Sequence, residues 1–335
     1  MTGWILSAAA LSFGVTALLG RWLIPYLRRL HYGQTILEIG PNWHKNKQGT
    51  PTMGGLMFIA GILLSVGVCF AGAAVSDAGL TAPIEKIHNA RLISGVIMAL
   101  AFGVMGFADD YVKVAKKRNL GLTARQKLIV QFAIAALYLW SLYLAGDTGT
   151  TVLVPFFGQW RLGIWYYPLC AVGIVYITNS VNLTDGLDGL ASSVTLMASL
   201  SFLGAAAVLG VMQVSLLAAS VAGGCLGFLL YNFYPAKVFM GDTGSMFLGG
   251  CVVAMAFGIG MPLILALSGF IYVIESLSVV IQVISFKTTG KRVFKMSPIH
   301  HHFEMCGYRE VQIVCAFSAV TLVTGVLAVL AALRA

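Results

Sequence analysis

The chain has 335 residues, 59% of them apolar and only 10% charged, with a mean hydropathy of +0.88 and a formal charge of +9. A water-soluble domain of this length buries a core with far fewer apolar residues, so the composition excludes a soluble globular protein and points to a multi-span helical membrane protein. No nucleic-acid motif accompanies the basic balance, which is read as a topological signal and an attraction for anionic substrate, with no nucleic acid as partner.

Windows of about 20 residues predict spans near 3–26, 52–74, 91–109, 128–145, 166–181, 189–210, 214–231, 243–260, 262–285 and 311–333. The first run lacks a basic leader and a small-residue cleavage site, its first cation being Arg21 at the far end, so a retained span is expected rather than a signal peptide. Between the fourth and fifth spans, TVLVPFFGQWRLGIWYY (151–167) has aromatic-rich, strand-like flanks about a Gly-Gln pair and predicts a short external hairpin at the interface. Cys69, Cys170, Cys225, Cys251, Cys306 and Cys315 form no C-x-x-C pair and read as small apolar residues, not as disulfides or zinc ligands.

Ten spans put both termini on one side. The loops at 27–51, 109–127, 182–188, 232–242 and 286–310 hold sixteen of the 21 Lys and Arg residues, so the positive-inside rule makes that face cytoplasmic and the termini external. The expected fold is all-α: a polytopic membrane protein with about ten transmembrane helices and a small external β-hairpin, forming one integral membrane domain over 1–335.

The 12 acidic residues are not spread evenly. Glu38, Asp109, Asp110, Asp185, Asp188, Asp242, Glu304 and Glu310 fall in or beside the cytoplasmic loops, Glu275 lies within a span, and Asp77, Glu85 and Asp147 are external, which makes the cytoplasmic face the functional one. Asp109 and Asp110 end the third span in GFADDYVKVAKK, where Lys113, Lys116 and Lys117 begin; taken alone, this pair reads equally well as a capped, solvated helix end. In NLTDGLDGLA the i,i+3 spacing aligns Asp185 and Asp188 on a helix, whereas Gly186 and Gly189 argue for a tight loop that lets a ligand reach backbone N–H groups; the carboxylates converge either way. Asp242, in FYPAKVFMGDTGSMFLGG, opens the eighth span at a turn that exposes backbone donors, and by itself reads first as an N-cap.

KMSPIHHHFE holds three of the six histidines, after Lys287, Lys291 and Arg292. Three adjacent histidines do not face one centre in a regular helix or strand, so hydrogen bonding to phosphate or sugar fits better than a metal site built from this run alone. Glu275 is an intramembrane acid, a default candidate for function, with a structural partner or a break in the ninth span as an equal reading. Aspartates, cations, histidines and glycine turns gathered at one membrane face suit magnesium-assisted chemistry on a diphosphate, with one substrate soluble and the other a lipid.

The motifs GTPTMGG (49–55), FADDYVKV (107–114), NSVNLTDGLDGLA (179–191), FMGDTGS (239–245) and SPIHHHFE (297–304), in this order, closely resemble those of the phospho-N-acetylmuramoyl-pentapeptide transferase family, a branch of the polyprenyl-phosphate N-acetylhexosamine-1-phosphate transferases. The resemblance covers essentially the whole chain. It implies a bacterial inner-membrane homodimer with external termini and a shallow cytoplasmic site, moving phospho-MurNAc-pentapeptide from UDP-MurNAc-pentapeptide to undecaprenyl phosphate and giving lipid I and UMP. By the same resemblance Asp242 is the magnesium ligand, Asp109 and Asp110 the catalytic pair, and His300, with His301 and His302, lies beside the phosphates. Asn179, Asn182, Asp185 and Asp188 correspond to nucleotide and phosphate positions, and Phe239 to an aromatic that stacks on uracil. Lys47, Thr52, Lys113, Asn232, Gly241 and Gln282 match further pocket positions.

A GlcNAc-1-phosphate transferase shares the aspartate motifs, but GTPTMGG and PIHHHFE point to the muramoyl-pentapeptide branch. A transporter fits less well, because the acids crowd one face and no internal repeat is visible.

Overall fold

The computed structural model describes residues 2–29, 47, 49–76, 80, 82, 85–115 and 121–335. Glu38, Asp77, Lys116 and Lys117 lie outside the described residues. In chain order the elements are α1 (Thr2–Arg29), α2 (Gly55–Ser76), α3 (Lys86–Ala115), α4 (Ala124–Leu144), β1 (Thr151–Val154), β2 (Gly158–Arg161), α5 (Tyr166–Thr184), α6 (Leu190–Leu209), α7 (Met212–Asn232), α8 (Gly241–Gly258), α9 (Leu265–Ser268), α10 (Phe270–Thr289), α11 (Ile299–Met305) and α12 (Glu310–Ala332).

Every predicted span falls on a helix, and nine helices among the described residues are long and apolar enough to cross a membrane. The other predicted span is α8, 18 residues long, whose first turn, Gly-Asp-Thr-Gly-Ser, is polar. Two spans depart from expectation. The third does not end at its aspartates: α3 continues to Ala115, and Asp109 and Asp110 are buried at 1% and 3% exposure rather than solvated. The ninth is broken, because a 3-10 turn opens with Pro262, which has no N–H to donate, and α9 gives way to α10 at Gly269.

Residues 243–258 of α8 are all buried, which makes it the central post of the molecule. Small residues bring its neighbours close. Gly95, Ala99, Gly103 and Gly106 line one side of α3 and meet Ala254, Gly250, Phe247 and the Asp242 carbonyl in turn. Gly249 lies against Thr178 of α5, and Gly244 against Gly55 of α2. On the outside, Leu6, Trp22, Leu137, Trp140 and Leu144 are exposed on helices with no polar cover, as lipid-facing surface requires.

The hairpin forms where the sequence predicts it. β1 and β2 pair antiparallel from Thr151↔Arg161 to Val154↔Gly158, around a turn with Phe156 at φ +68° and Gly158 at φ +86°. Phe156, Phe157, Trp160 and Trp165 stay exposed, the residue types that settle at a membrane–water interface. The hairpin follows the C-terminal end of α4, whereas the aspartates of α3 sit beside its N-terminal end.

Candidate active site

The first turn of α8 leaves backbone N–H groups without intrahelical partners. Asp110, from α3, supplies the acceptor: its Oδ1 accepts the Asp242 N–H at 3.2 Å, and its Oδ2 accepts the Thr243 N–H at 2.9 Å and the Thr243 hydroxyl at 2.7 Å. The N-cap reading of Asp242 is thus corrected, since the cap comes from another helix and the Asp242 carboxylate is left for other work. Gly241 stands at φ +72°, and a side chain there would strike Asp110 and the Thr52 hydroxyl.

The GTPTMGG and FMGDTGS segments are tied by backbone bonds. The Phe239 N–H donates to the Pro51 carbonyl at 2.8 Å, Gly54 N–H to Phe239 at 2.9 Å and Gly55 N–H to Met240 at 3.1 Å. Between them, buried Met53 holds a left-handed φ of +68°, a strained conformation of the kind that clusters at functional sites.

Around this frame lies a charged cluster. Asp109 Oδ1 accepts the Leu122 N–H at 2.7 Å, and its Oδ2 lies 2.7 Å from Lys113 Nζ and 3.0 Å from Lys127 Nζ, in ionic contacts rather than aligned hydrogen bonds. The same two ammonium groups reach Asp242 Oδ2 at 3.1 and 2.9 Å, while Asn182 Nδ2 donates to Asp242 Oδ1 at 3.0 Å. Asp109, Asp110 and Asp242 each present a carboxylate oxygen within 4.8 Å of the others, a set of hard oxygen donors that could hold a divalent cation. Since both Asp110 oxygens are committed to α8, the negative charge on offer is that of Asp109 and Asp242. Two ammonium groups drawn to it show that the cluster accepts positive charge.

A second cluster starts from the loop between α5 and α6. Buried Asp188 pairs with Lys47 at 2.7 Å and accepts the Ala236 N–H at 2.9 Å. Lys47 also reaches Glu310, at the start of α12, at 2.7 Å, and Glu310 accepts the Asp188 N–H at 3.2 Å. Burial works to lower the Lys47 pKa, but hydrogen bonds and charge from Asp188 and Glu310 carry it above the usual lysine value. Asp185 differs. Among the described residues its carboxylate has no hydrogen-bond partner, and burial, with the charges of Asp242, Asp110 and Asp188, pushes its pKa well above the usual carboxylate range.

Other expected site residues bind the protein itself. Asn179 exchanges amide hydrogen bonds with Gln131 at 2.8 and 3.1 Å. Asn232 accepts from Ser192 and donates to the Val238 carbonyl, holding the segment before Phe239. Gln282 accepts from the Val293 and Phe294 N–H groups and donates to the Phe294 carbonyl. The three histidines of α11 face three different partners, as their adjacency predicts: His300 meets Glu275, His301 meets Glu304 at 2.6 Å, and His302 Nδ1 accepts the Lys295 N–H.

Lys127, Thr243 and Glu310 were not singled out from sequence, and Glu275 was left open. Lys127 and Glu310 look like ordinary polar flanks of the helices they begin, and only the fold carries them to Asp242 and Lys47.

The chain is similar to known proteins along almost its whole length. Residues 92–260 match the model of Glycosyl transferase family 4, and residues 47–59, which include Lys47 and Thr52, match phospho-N-acetylmuramoyl-pentapeptide-transferase signature 1. A phospho-N-acetylmuramoyl-pentapeptide-transferase of Heliobacterium modesticaldum is 46% identical over 323 residues, covering 95% of each chain. One of Desulfitobacterium hafniense is 44% identical over 339 residues, covering 98% of this chain and 97% of its own. One of Clostridium botulinum strain Alaska E43 is 46% identical over 322 residues, covering 95% and 94%. With its motifs assembled at one end of a helical membrane body and its length matched almost throughout, the chain belongs to the phospho-N-acetylmuramoyl-pentapeptide-transferase family.

Proposed function

We propose that this protein, as one domain over residues 1–335, transfers phospho-MurNAc-pentapeptide from UDP-MurNAc-pentapeptide to undecaprenyl phosphate, releasing UMP and forming lipid I. It works in the bacterial cytoplasmic membrane as a homodimer, with its site on the cytoplasmic face and its termini outside. The observation that carries this reading is the pair Asp109 and Asp242 sharing Lys113 and Lys127 at the ends of apolar helices.

Asp242, with Asp109 across from it, would hold magnesium, which when bound draws charge from the diphosphate and its leaving oxygen. Lys113 and Lys127 place positive charge where phosphate oxygens gather. A phosphate monoester loses its second proton near about pH 6, so the carrier phosphate is largely a ready nucleophile and needs no strong base. Asp109 orients it or takes its residual proton, and the carrier oxygen attacks the β-phosphate directly. Asn182, Asp185, Asp188, Lys47, Thr52 and Gly241 flank the nucleotide-sugar, Phe239 stacks on uracil, and His300, His301 and His302 lie beside the phosphates. Asn179, Asn232 and Gln282 shape the pocket by holding its walls.

The test is UMP release by the purified protein from UDP-MurNAc-pentapeptide and undecaprenyl phosphate, with and without magnesium, with Asp242→Asn as control. Magnesium-dependent release with a lipid-linked product supports the assignment. Turnover with UDP-GlcNAc instead moves the protein to the sister branch. Isotope exchange between UMP and the nucleotide-sugar without lipid acceptor would replace direct attack by a covalent enzyme phosphate on an aspartate.

A further inference from the structure

Glu275 lies within α10, fully buried, in a helix long and apolar enough to cross a membrane. A carboxylate in such a place needs a compensating partner. Among the described residues its only side-chain partner is His300, whose Nδ1 lies 3.0 Å from each carboxylate oxygen. His300 is itself fully buried.

The other ring nitrogen is unaccounted for. Among the described residues His300 Nε2 is buried and has no hydrogen-bond partner, so a polar atom beside the loop is left to be matched. It is aimed at Gly186, where even a β-carbon would collide with it. Gly186 follows Asp185 directly, in the loop where the absence of side chains lets a ligand come close to the backbone. A carboxylate behind a histidine fixes which nitrogen carries the inner proton and locks the plane of the ring, so the outer nitrogen is aimed before any ligand arrives.

We propose that Glu275 is a positioning residue for the transfer reaction: it holds His300 with Nδ1–H turned inward, so that Nε2, facing Gly186, meets a phosphate oxygen of the bound nucleotide-sugar. With Nδ1–H held by the carboxylate, Nε2 donates to that oxygen when it too carries a proton. The assignment rests on the proposed function and names the part of the site that awaits the diphosphate.

The experiment uses the full-length protein, comparing wild type with Glu275→Gln, Glu275→Asp, His300→Gln, the double variant Glu275→Gln/His300→Gln, and Gly186→Ala. Glu275→Gln is expected to lower kcat about 10–100-fold, with KM for UDP-MurNAc-pentapeptide within about twofold and an unchanged thermal midpoint; Glu275→Asp, which keeps the charge, recovers part of the loss. His300→Gln lowers kcat at least as far, and adding Glu275→Gln to it costs no more than about twofold further, because no ring is left to aim. Gly186→Ala, whose β-carbon would collide with Nε2 and force the ring or the loop to shift, also lowers kcat. A Glu275→Gln enzyme with wild-type kcat overturns the proposal. So do losses that multiply fully in the double variant together with a lowered thermal midpoint, which would make the pair a packing element. Should the Glu275 variants not fold, wild-type kcat in Gly186→Ala overturns it. A wild-type protein that releases no UMP refutes the proposed function, a result distinct from each of these.

Discussion

The first turn of α8 and the loop between α5 and α6 both gather carboxylates at the edge of an apolar body, and they settle them differently. At α8, Asp110 takes three donors from Asp242 and Thr243, and Asp109 and Asp242 divide two ammonium groups between them. In the loop, Asp188 is matched by Lys47 and the Ala236 N–H, but one turn away Asp185 has no such partner among the described residues, and the nearby His300 Nε2 has none either. At α8 the shared charge is proposed to do the chemistry, whereas in the loop the groups left unmatched are proposed to meet the ligand.

The contrast is broken most sharply at Asp242. Asp242→Asn removes the charge that both lysines share and should reduce UMP release by about a hundred- to a thousandfold, with little change in thermal midpoint. A variant that kept its activity would mean that the α8 cluster is frame alone. Asp110→Ala should act the other way round: it strips α8 of its cap and leaves the Thr243 hydroxyl and two N–H groups unmatched, costing about 2–3 kcal/mol of stability in a denaturation series. Asp109→Asn, one residue away, should lose activity without that cost, and the pair of variants separates chemistry from capping. Lys127→Met should lower kcat by roughly tenfold, since Lys113 still serves both aspartates; an unchanged rate would reduce Lys127 to a flanking charge.

The smallest effect concerns the unmatched side. The Asp185 carboxyl is raised above its ordinary range by burial and by Asp242, Asp110 and Asp188, so the folded state holds its proton more tightly than the unfolded one. Its ionisation therefore costs stability as pH rises through the folded value. Asp185→Asn should raise the thermal midpoint slightly at neutral pH, and the difference from wild type should close on acidification below the unfolded pKa. If the wild type gained stability with rising pH at this site, Asp185 would have a hidden cation partner.

The helices were largely legible because lipid-facing spans need long apolar runs, and each such run proved helical. The limits of reading lay where polar groups are satisfied across the fold. Asp109 and Asp110 looked like a helix end because Lys113 follows them, yet α3 continues, since its small face of Gly95, Gly103 and Gly106 carries it along α8. The cap of α8 was invisible for the same reason: Asp110 and Thr243 are 133 residues apart. Glu275 and His300 are separated by 25 residues and lie on different helices, so neither their spacing nor their surroundings in sequence could pair them. By contrast, the tight loop at Asp185 and Asp188 was legible from local chemistry, since Gly186 and Gly189 announce a turn, and Gly189 stands at φ +78°.

The burial of α8 also bears on how the protein enters the membrane. A segment whose first turn is polar and whose remaining residues touch only protein has little surface to offer to lipid, and its membrane insertion must lean on helices already in place. Its most extensive neighbours, α3 and α5, are made before it, so synthesis from the N-terminus prepares a slot lined with glycine and alanine before α8 emerges. Assembly and active-site formation then become one event, because the arrival of α8 between those helices is also what brings Asp242 to Asp109, Lys113 and Lys127.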